Sequence, residues 1–161
     1  MLGIEDVQMR PIHPAIKKVW RIYAVITFLA IIALGTPFYI FVVKSNKFAT
    51  YLLILGLIIA VFILIKGLVF SDRSWKAWQY GITDTELILT WGVIWRTLRV
   101  IPRYGIQHID INEGPIDRRF GLVQIVIFAA GSVGVVATIP GLTRTEAEEL
   151  RKYLSNSAIT E

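Results

Sequence analysis

Two uninterrupted apolar stretches dominate the first half of the chain. They are Ile22–Val43 and Ala49–Phe70, with only Lys44-Ser45-Asn46-Lys47 and Phe48 between them. Each is about 22 residues, which at about 1.5 Å of helical rise per residue crosses a hydrocarbon core of roughly 30 Å. Neither contains Asp, Glu or Arg, and Lys66 is the one charge in either. A helix lying against a soluble core alternates apolar and polar faces, whereas these are apolar all round. The pattern predicts a transmembrane helical hairpin (22–43, 49–70) that carries a soluble domain over 71–161 behind it.

After Phe70 the texture changes. Ser71-Asp72-Arg73-Ser74 reads as a polar exit, and strands are predicted at Trp75–Ile82, Leu87–Trp91, Arg96–Ile101 and Ile106–Ile111. Thr83-Asp84-Thr85-Glu86, Gly92, Pro102 and Asn112-Glu113-Gly114-Pro115 supply the turns and breaks between them. Leu122–Phe128 is apolar on both faces, as in a well-covered strand. Gly131-Ser132-Val133-Gly134 joins it to Val135–Ile139, and Pro140-Gly141 is expected to end the sheet. From Thr143 an amphipathic helix is predicted. Thr143 or Thr145 caps it, Glu146 or Glu148 completes a capping box, and Ala147, Leu150, Tyr153 and Leu154 form its buried stripe. Short strands closed by one helix describe a small barrel or sandwich with a C-terminal cap.

Residues 1–21 precede the first span and contain Pro11 and Pro14, so no long helix is expected there. The apolar run that follows is too long for a cleavable signal. Lys17, Lys18 and Arg21 are placed at the lipid headgroups, with Trp20 and Tyr23 as interfacial anchors. Lys66, about four residues from the expected end of its helix, is read as snorkelling to the same boundary. Gly35-Thr36-Pro37 is expected to kink the first helix, and Gly56 to allow close approach of the second. Arg10, Lys17, Lys18 and Arg21 before the hairpin and Arg73 and Lys76 after it outnumber Lys44 and Lys47 in the connector. That excess predicts a multi-pass protein with both termini and the domain in the cytoplasm.

Composition narrows the chemistry. At 18% charged residues the chain lies below the roughly 25% of soluble domains, in keeping with the membrane reading. No cysteine is present, which removes disulfides, thiolate nucleophiles and Cys-based metal sites. The net charge of +5 is scattered rather than striped, so anionic lipid is the expected partner and nucleic acid is not. His13 and His108 are the only histidines. His108 with Asp110 offers two ligands where zinc needs three or four. No nucleophile elbow is found, and Gly131–Gly134 lacks the Lys-Ser/Thr of a phosphate loop. No catalytic residue, metal or cofactor is expected.

Three segments carry a family resemblance: Ile101-Pro102-Arg103-Tyr104-Gly105-Ile106-Gln107-His108-Ile109-Asp110, then Gly114-Pro115-Ile116-Asp117-Arg118-Arg119-Phe120-Gly121-Leu122, then Ala137-Thr138-Ile139-Pro140-Gly141-Leu142. With His13-Pro14 and Trp20-Arg21 ahead of the hairpin, they make the chain resemble the bacterial YdbS-like membrane proteins. The resemblance implies a mainly-β pleckstrin-homology-like barrel capped by a C-terminal helix, without enzymatic activity or an established ligand. It further implies a link to cell-envelope stress or to resistance against membrane-active peptides. Val93-Ile94-Trp95 departs from the family in being more apolar than the expected hairpin tip.

Two sets of residues remain as candidate lipid or partner contacts. Arg118 and Arg119 could clamp a phosphate or a carboxylate. The plainer reading has one of them tie its loop to Asp110, Glu113 or Asp117 and pack over Phe120. The second set is the tip, Trp91, Val93, Ile94 and Trp95, which either folds back on the barrel or helix, the preferred expectation, or meets the membrane. Two functions follow: an interaction module that assembles with itself or a sister pleckstrin-homology-like membrane protein, and a sensor of lipid headgroups or membrane-inserted peptides.

Overall fold

A computed structural model describes residues 7–39, 47–130 and 134–155. The chain divides into two compact units, one of residues Lys17–Asp72 and one that joins the segment ending at Ile16 to the segment beginning at Arg73.

The first unit is the helical pair. Helix α1 spans Ile16–Phe38 and α2 spans Lys47–Ala77, and both are long and apolar enough to cross a membrane. Large side chains such as Leu34, Tyr51 and Phe62 are exposed along them. Expected connector residues Lys44, Ser45 and Asn46 and the end of the first stretch, Ile40–Val43, lie outside the described residues. The close approach is made at Gly67 rather than at Gly56. A Cβ on Gly67 would stand 2.3 Å from Ala24 Cβ, whereas one on Gly56 would meet nothing within 4 Å. Small residues at both sides of the crossing let the backbones come together. Arg21 Nε donates to Ser71 Oγ at 3.0 Å, its guanidinium also pairs with Asp72, and Lys17 Nζ lies 3.2 Å from the same carboxylate.

The polar exit is helical. α2 runs through Ser71-Asp72-Arg73-Ser74 to Ala77, which removes Trp75–Ala77 from the predicted first strand and leaves Lys66 well inside its helix. Tertiary partners decide this. Arg21 and Lys17 neutralise Asp72, and Trp75 Nε1 donates to the Ile12 carbonyl at 2.7 Å.

The second unit holds the strands: β1 (Arg10–Pro11), β2 (Gln79–Ile82), β3 (Glu86–Trp91), β4 (Thr97–Pro102), β5 (Ile106–Asn112), β6 (Leu122–Ala129) and β7 (Val135–Thr143). The short helix α3 (Pro115–Arg119) separates β5 from β6, and α4 (Arg144–Ser155) follows β7. All ladders are antiparallel and form two sheets, β1-β2-β3-β4 and β5-β6-β7. The expected barrel is therefore not closed. Pro102, which lacks an N–H, ends β4, and a 3-10 turn at Arg103–Gly105 redirects the chain before β5 begins. Among the described residues the two sheets share no ladder, although the Arg99 guanidinium of β4 donates to the Val136 carbonyl of β7.

Leu87 and Leu89 of β3, Ile125 and Ile127 of β6, Ile139 of β7 and Ala147 and Leu154 of α4 are fully buried. Each large member contributes about 1.5–3 kcal/mol by leaving water. Pro140-Gly141 does not end β7. The register shifts between Val123/Ile125, so Pro140 and Gly141 face a single partner residue, Gln124, in a bulge that tolerates the missing N–H. Gly141 has φ +65, its carbonyl accepts from His13 N at 2.8 Å, and a Cβ there would meet Ile16 at 2.8 Å. The predicted connector Gly131-Ser132-Val133 lies outside the described residues.

Candidate functional site

The β3–β4 hairpin closes on Gly92, whose φ of +103 and close approach to the Trp95 carbonyl (1.9 Å from a would-be Cβ) admit glycine alone. Val93 is half-buried, but Ile94 is 76% and Trp95 85% exposed. The tip does not fold back on the barrel or helix. The site beside it is already filled, because Trp78 stacks on Trp91 with ring centroids 5.5 Å apart and Arg99 lies over Trp91 at 5.4 Å. Trp91 thus belongs to the base of the hairpin and Ile94 and Trp95 to its apex. The base also borders the last turn of α2: Lys76, Ala77, Thr90, Gly92, Arg96 and Leu98 line one groove of about 420 Å³.

Along β4, Leu98 and Val100 share a face by the two-residue period and are 49% and 41% exposed. β4 pairs with β3 on one side. No second strand pairs with it among the described residues.

Arg118 and Arg119 end α3, and both are exposed. Arg118 Nε stands 3.6 Å from Glu113 Oε2, and Arg144 Nη2 is 3.3 Å from the same oxygen. No contact brings either arginine over Phe120 among the ring contacts of the described residues. The expected tie of the loop to an acid is present between Arg118 and Glu113, as an ion pair that Arg118 makes while largely exposed.

Two features escaped the sequence reading. Arg103, 9% exposed, donates from Nη1 to the Asp84 carbonyl at 2.7 Å and from Nη2 to the Tyr153 carbonyl, with its guanidinium 4.2 Å from the Tyr153 ring centroid. Tyr153 Oη lies 3.2 Å from Asp84 Oδ1. The basic residue thus caps the carbonyl end of α4 and clasps it to the β2–β3 turn. The only hint in sequence was an arginine directly after Pro102. The second feature is a cleft of about 460 Å³ lined by Arg10, Tyr80, Ile82, Glu146, Glu149 and Tyr153. Burial pushes the Tyr80 hydroxyl above its usual range, Glu146 and Glu149 add to the rise, and Arg10 opposes it. His108 stacks on Phe128 at 4.1 Å and is exposed, and the described residues hold no group of three or more His, Asp or Glu placed to share a metal.

Comparison with known proteins bears on this arrangement. The model of the family described as "Bacterial PH domain" matches residues 14–158. The chain is 30% identical over 155 residues to the UPF0699 transmembrane protein YdbS of Bacillus subtilis (strain 168), covering 91% of each protein. The crystal structure of a DUF1696 family protein with a pleckstrin-homology domain from Shewanella loihica PV-4 aligns with 14% identity and a TM-score of 0.41, over 51% of this chain and 71% of that one. The family-model match, residues 14–158, takes in α1, α2 and the strands from β2 to β7. The chain belongs to the bacterial PH domain family, and within it to the YdbS-like transmembrane proteins.

Proposed function

We propose that this protein is a non-catalytic assembly module held at the bacterial cell membrane. In this reading α1 and α2 cross the bilayer, both termini and the PH-like domain are cytoplasmic, and the domain pairs with a second copy or a sister PH-like protein. The exposed apolar flanks of both helices support the membrane placement, since a core helix would be covered. The basic residues flanking the hairpin support the orientation.

The observation that carries the assembly reading is that β4 pairs with β3 alone among the described residues and exposes Leu98 and Val100. An uncovered apolar edge strand is a template for another chain, and soluble domains blunt such edges. The chain has no cysteine, so Val100→Cys gives a single handle. In native membranes, a short bis-maleimide should join Val100→Cys chains, to each other or to a co-expressed sister protein, and should fail with Lys152→Cys. Adding Leu98→Lys should reduce the product. No cross-linked species at Val100→Cys in either pairing would refute assembly through β4.

A further inference from the structure

We infer that the tip of the β3–β4 hairpin is a second membrane anchor, with Ile94 and Trp95 seated among anionic lipid headgroups. The inference rests on the membrane reading of α1 and α2. It begins from a placement inside the strand-bearing unit, where the hairpin base borders the last turn of α2. Trp78 directly follows α2 and stacks on Trp91, and Lys76 and Ala77 share the groove with Gly92 and Arg96. In sequence, the apolar run ends at Phe70, only six residues before Lys76, so the chain between the membrane-spanning stretch and the base of the tip is short.

Composition then selects the occupant. The apex carries a tryptophan and an isoleucine with nearly their whole side chains open, and it is followed immediately by exposed Arg96. Lys76, which shares the groove at the base of the hairpin, is exposed as well. An aromatic apex with Arg96 and Lys76 beside its base matches the headgroup boundary, where Trp is enriched and anionic lipid attracts Lys and Arg. A protein surface complementary to this tip would need an apolar pocket with an acidic rim. The bilayer supplies both properties within reach of so short a tether. With the tip inserted in addition to the two chain connections to the helical pair, the domain would hold a fixed face toward the membrane.

The absence of native cysteine allows the test on the full chain in vesicles of phosphatidylcholine and phosphatidylglycerol. Ile94→Cys, Leu34→Cys and Lys152→Cys are each labelled with an environment-sensitive fluorophore, Leu34 being exposed near the middle of the first apolar stretch. Nitroxide lipids then quench either near the headgroups or at the acyl terminus. The expected result is a blue-shifted probe at position 94 that loses emission to the shallow nitroxide. Position 34 should lose emission to the deep nitroxide, and position 152 to neither. Trp95→Asp should abolish the blue shift and the quenching at position 94. Quenching at 34 without quenching at 94 would overturn the second anchor and leave the membrane reading intact. A blue shift at 94 without quenching would assign the tip to a protein pocket and overturn it equally. Loss of quenching at 34 would instead fail the membrane reading itself, and the anchor with it.

Discussion

Arg103→Met removes the clasp between α4 and the β2–β3 turn while keeping most of the side-chain volume. Two charge-assisted hydrogen bonds, to the Asp84 and Tyr153 carbonyls, are lost at about 1.5–3 kcal/mol each. The contact with the Tyr153 ring adds about 0.5–1 kcal/mol. Against this stands the relief of a buried cation whose Nε finds no partner among the described residues, an unmet group that costs about 1–3 kcal/mol in the folded chain. The balance is a destabilisation of about 3 kcal/mol. For a domain of this size each kcal/mol moves the midpoint by about 4–8 °C, so Tm should fall by roughly 12–24 °C. Near-ultraviolet circular dichroism of the full chain in mild detergent reads the midpoint. Hydrogen exchange over Ala147–Leu154 reads whether α4 is the part released. Tyr153→Phe keeps the carbonyl and the ring and loses only the exposed bond to Asp84, so it should cost less than about 1 kcal/mol. An Arg103→Met protein that melts within a few degrees of the parent, with α4 exchange unchanged, would refute the clasp.

Arg118→Ala and Arg119→Ala should each change stability by less than about 1 kcal/mol, because the one ion pair they form is exposed and long; thermal melts of both variants check this. A membrane-impermeant maleimide applied to intact cells should label Asn46→Cys and spare Lys152→Cys until lysis, and the opposite pattern would reverse the proposed orientation.

What the sequence made legible was whatever is written locally. The apolar stretches announce α1 and α2 by length alone, and β3, β5 and β6 begin and end within about a residue of their alternation or apolar runs. The capping box at the start of α4 forms as read. Thr143 N donates to Glu146 Oε2 at 2.8 Å and Glu146 N to Thr143 Oγ1 at 3.3 Å. The errors fall where a distant partner overrides local preference. Ser71–Ala77 looks like an exit and a strand until Arg21, Lys17 and the Ile12 carbonyl engage it from some 50 or more positions away. Pro140-Gly141 looks like a stop until a bulge absorbs it. The tip was legible as an apolar cluster, but its exposure depends on Trp78 having already taken the place beside Trp91. Arg103 was invisible as a clasp because its two acceptors are main-chain carbonyls, which no residue type advertises.

The N-terminal segment takes this furthest. Arg10–Pro11 has neither the length nor the composition of a strand, yet it pairs with Tyr80 and Gln79 on the edge of β2. The residues that follow are held just as firmly. Ile12 and Ile16 are fully buried, the Ile12 carbonyl accepts from Trp75, and His13 N donates to the bulge at Gly141. Pairing on the β2 edge in this way covers one border of the sheet, while β4 on the opposite border pairs with no second strand among the described residues. The asymmetry has a consequence for chain order. The strand-bearing unit draws on residues before α1 as well as after α2, so the helical pair is an insertion within one folded unit rather than a leader placed ahead of it. The chain therefore passes between the two units twice, after Ile16 and before Arg73.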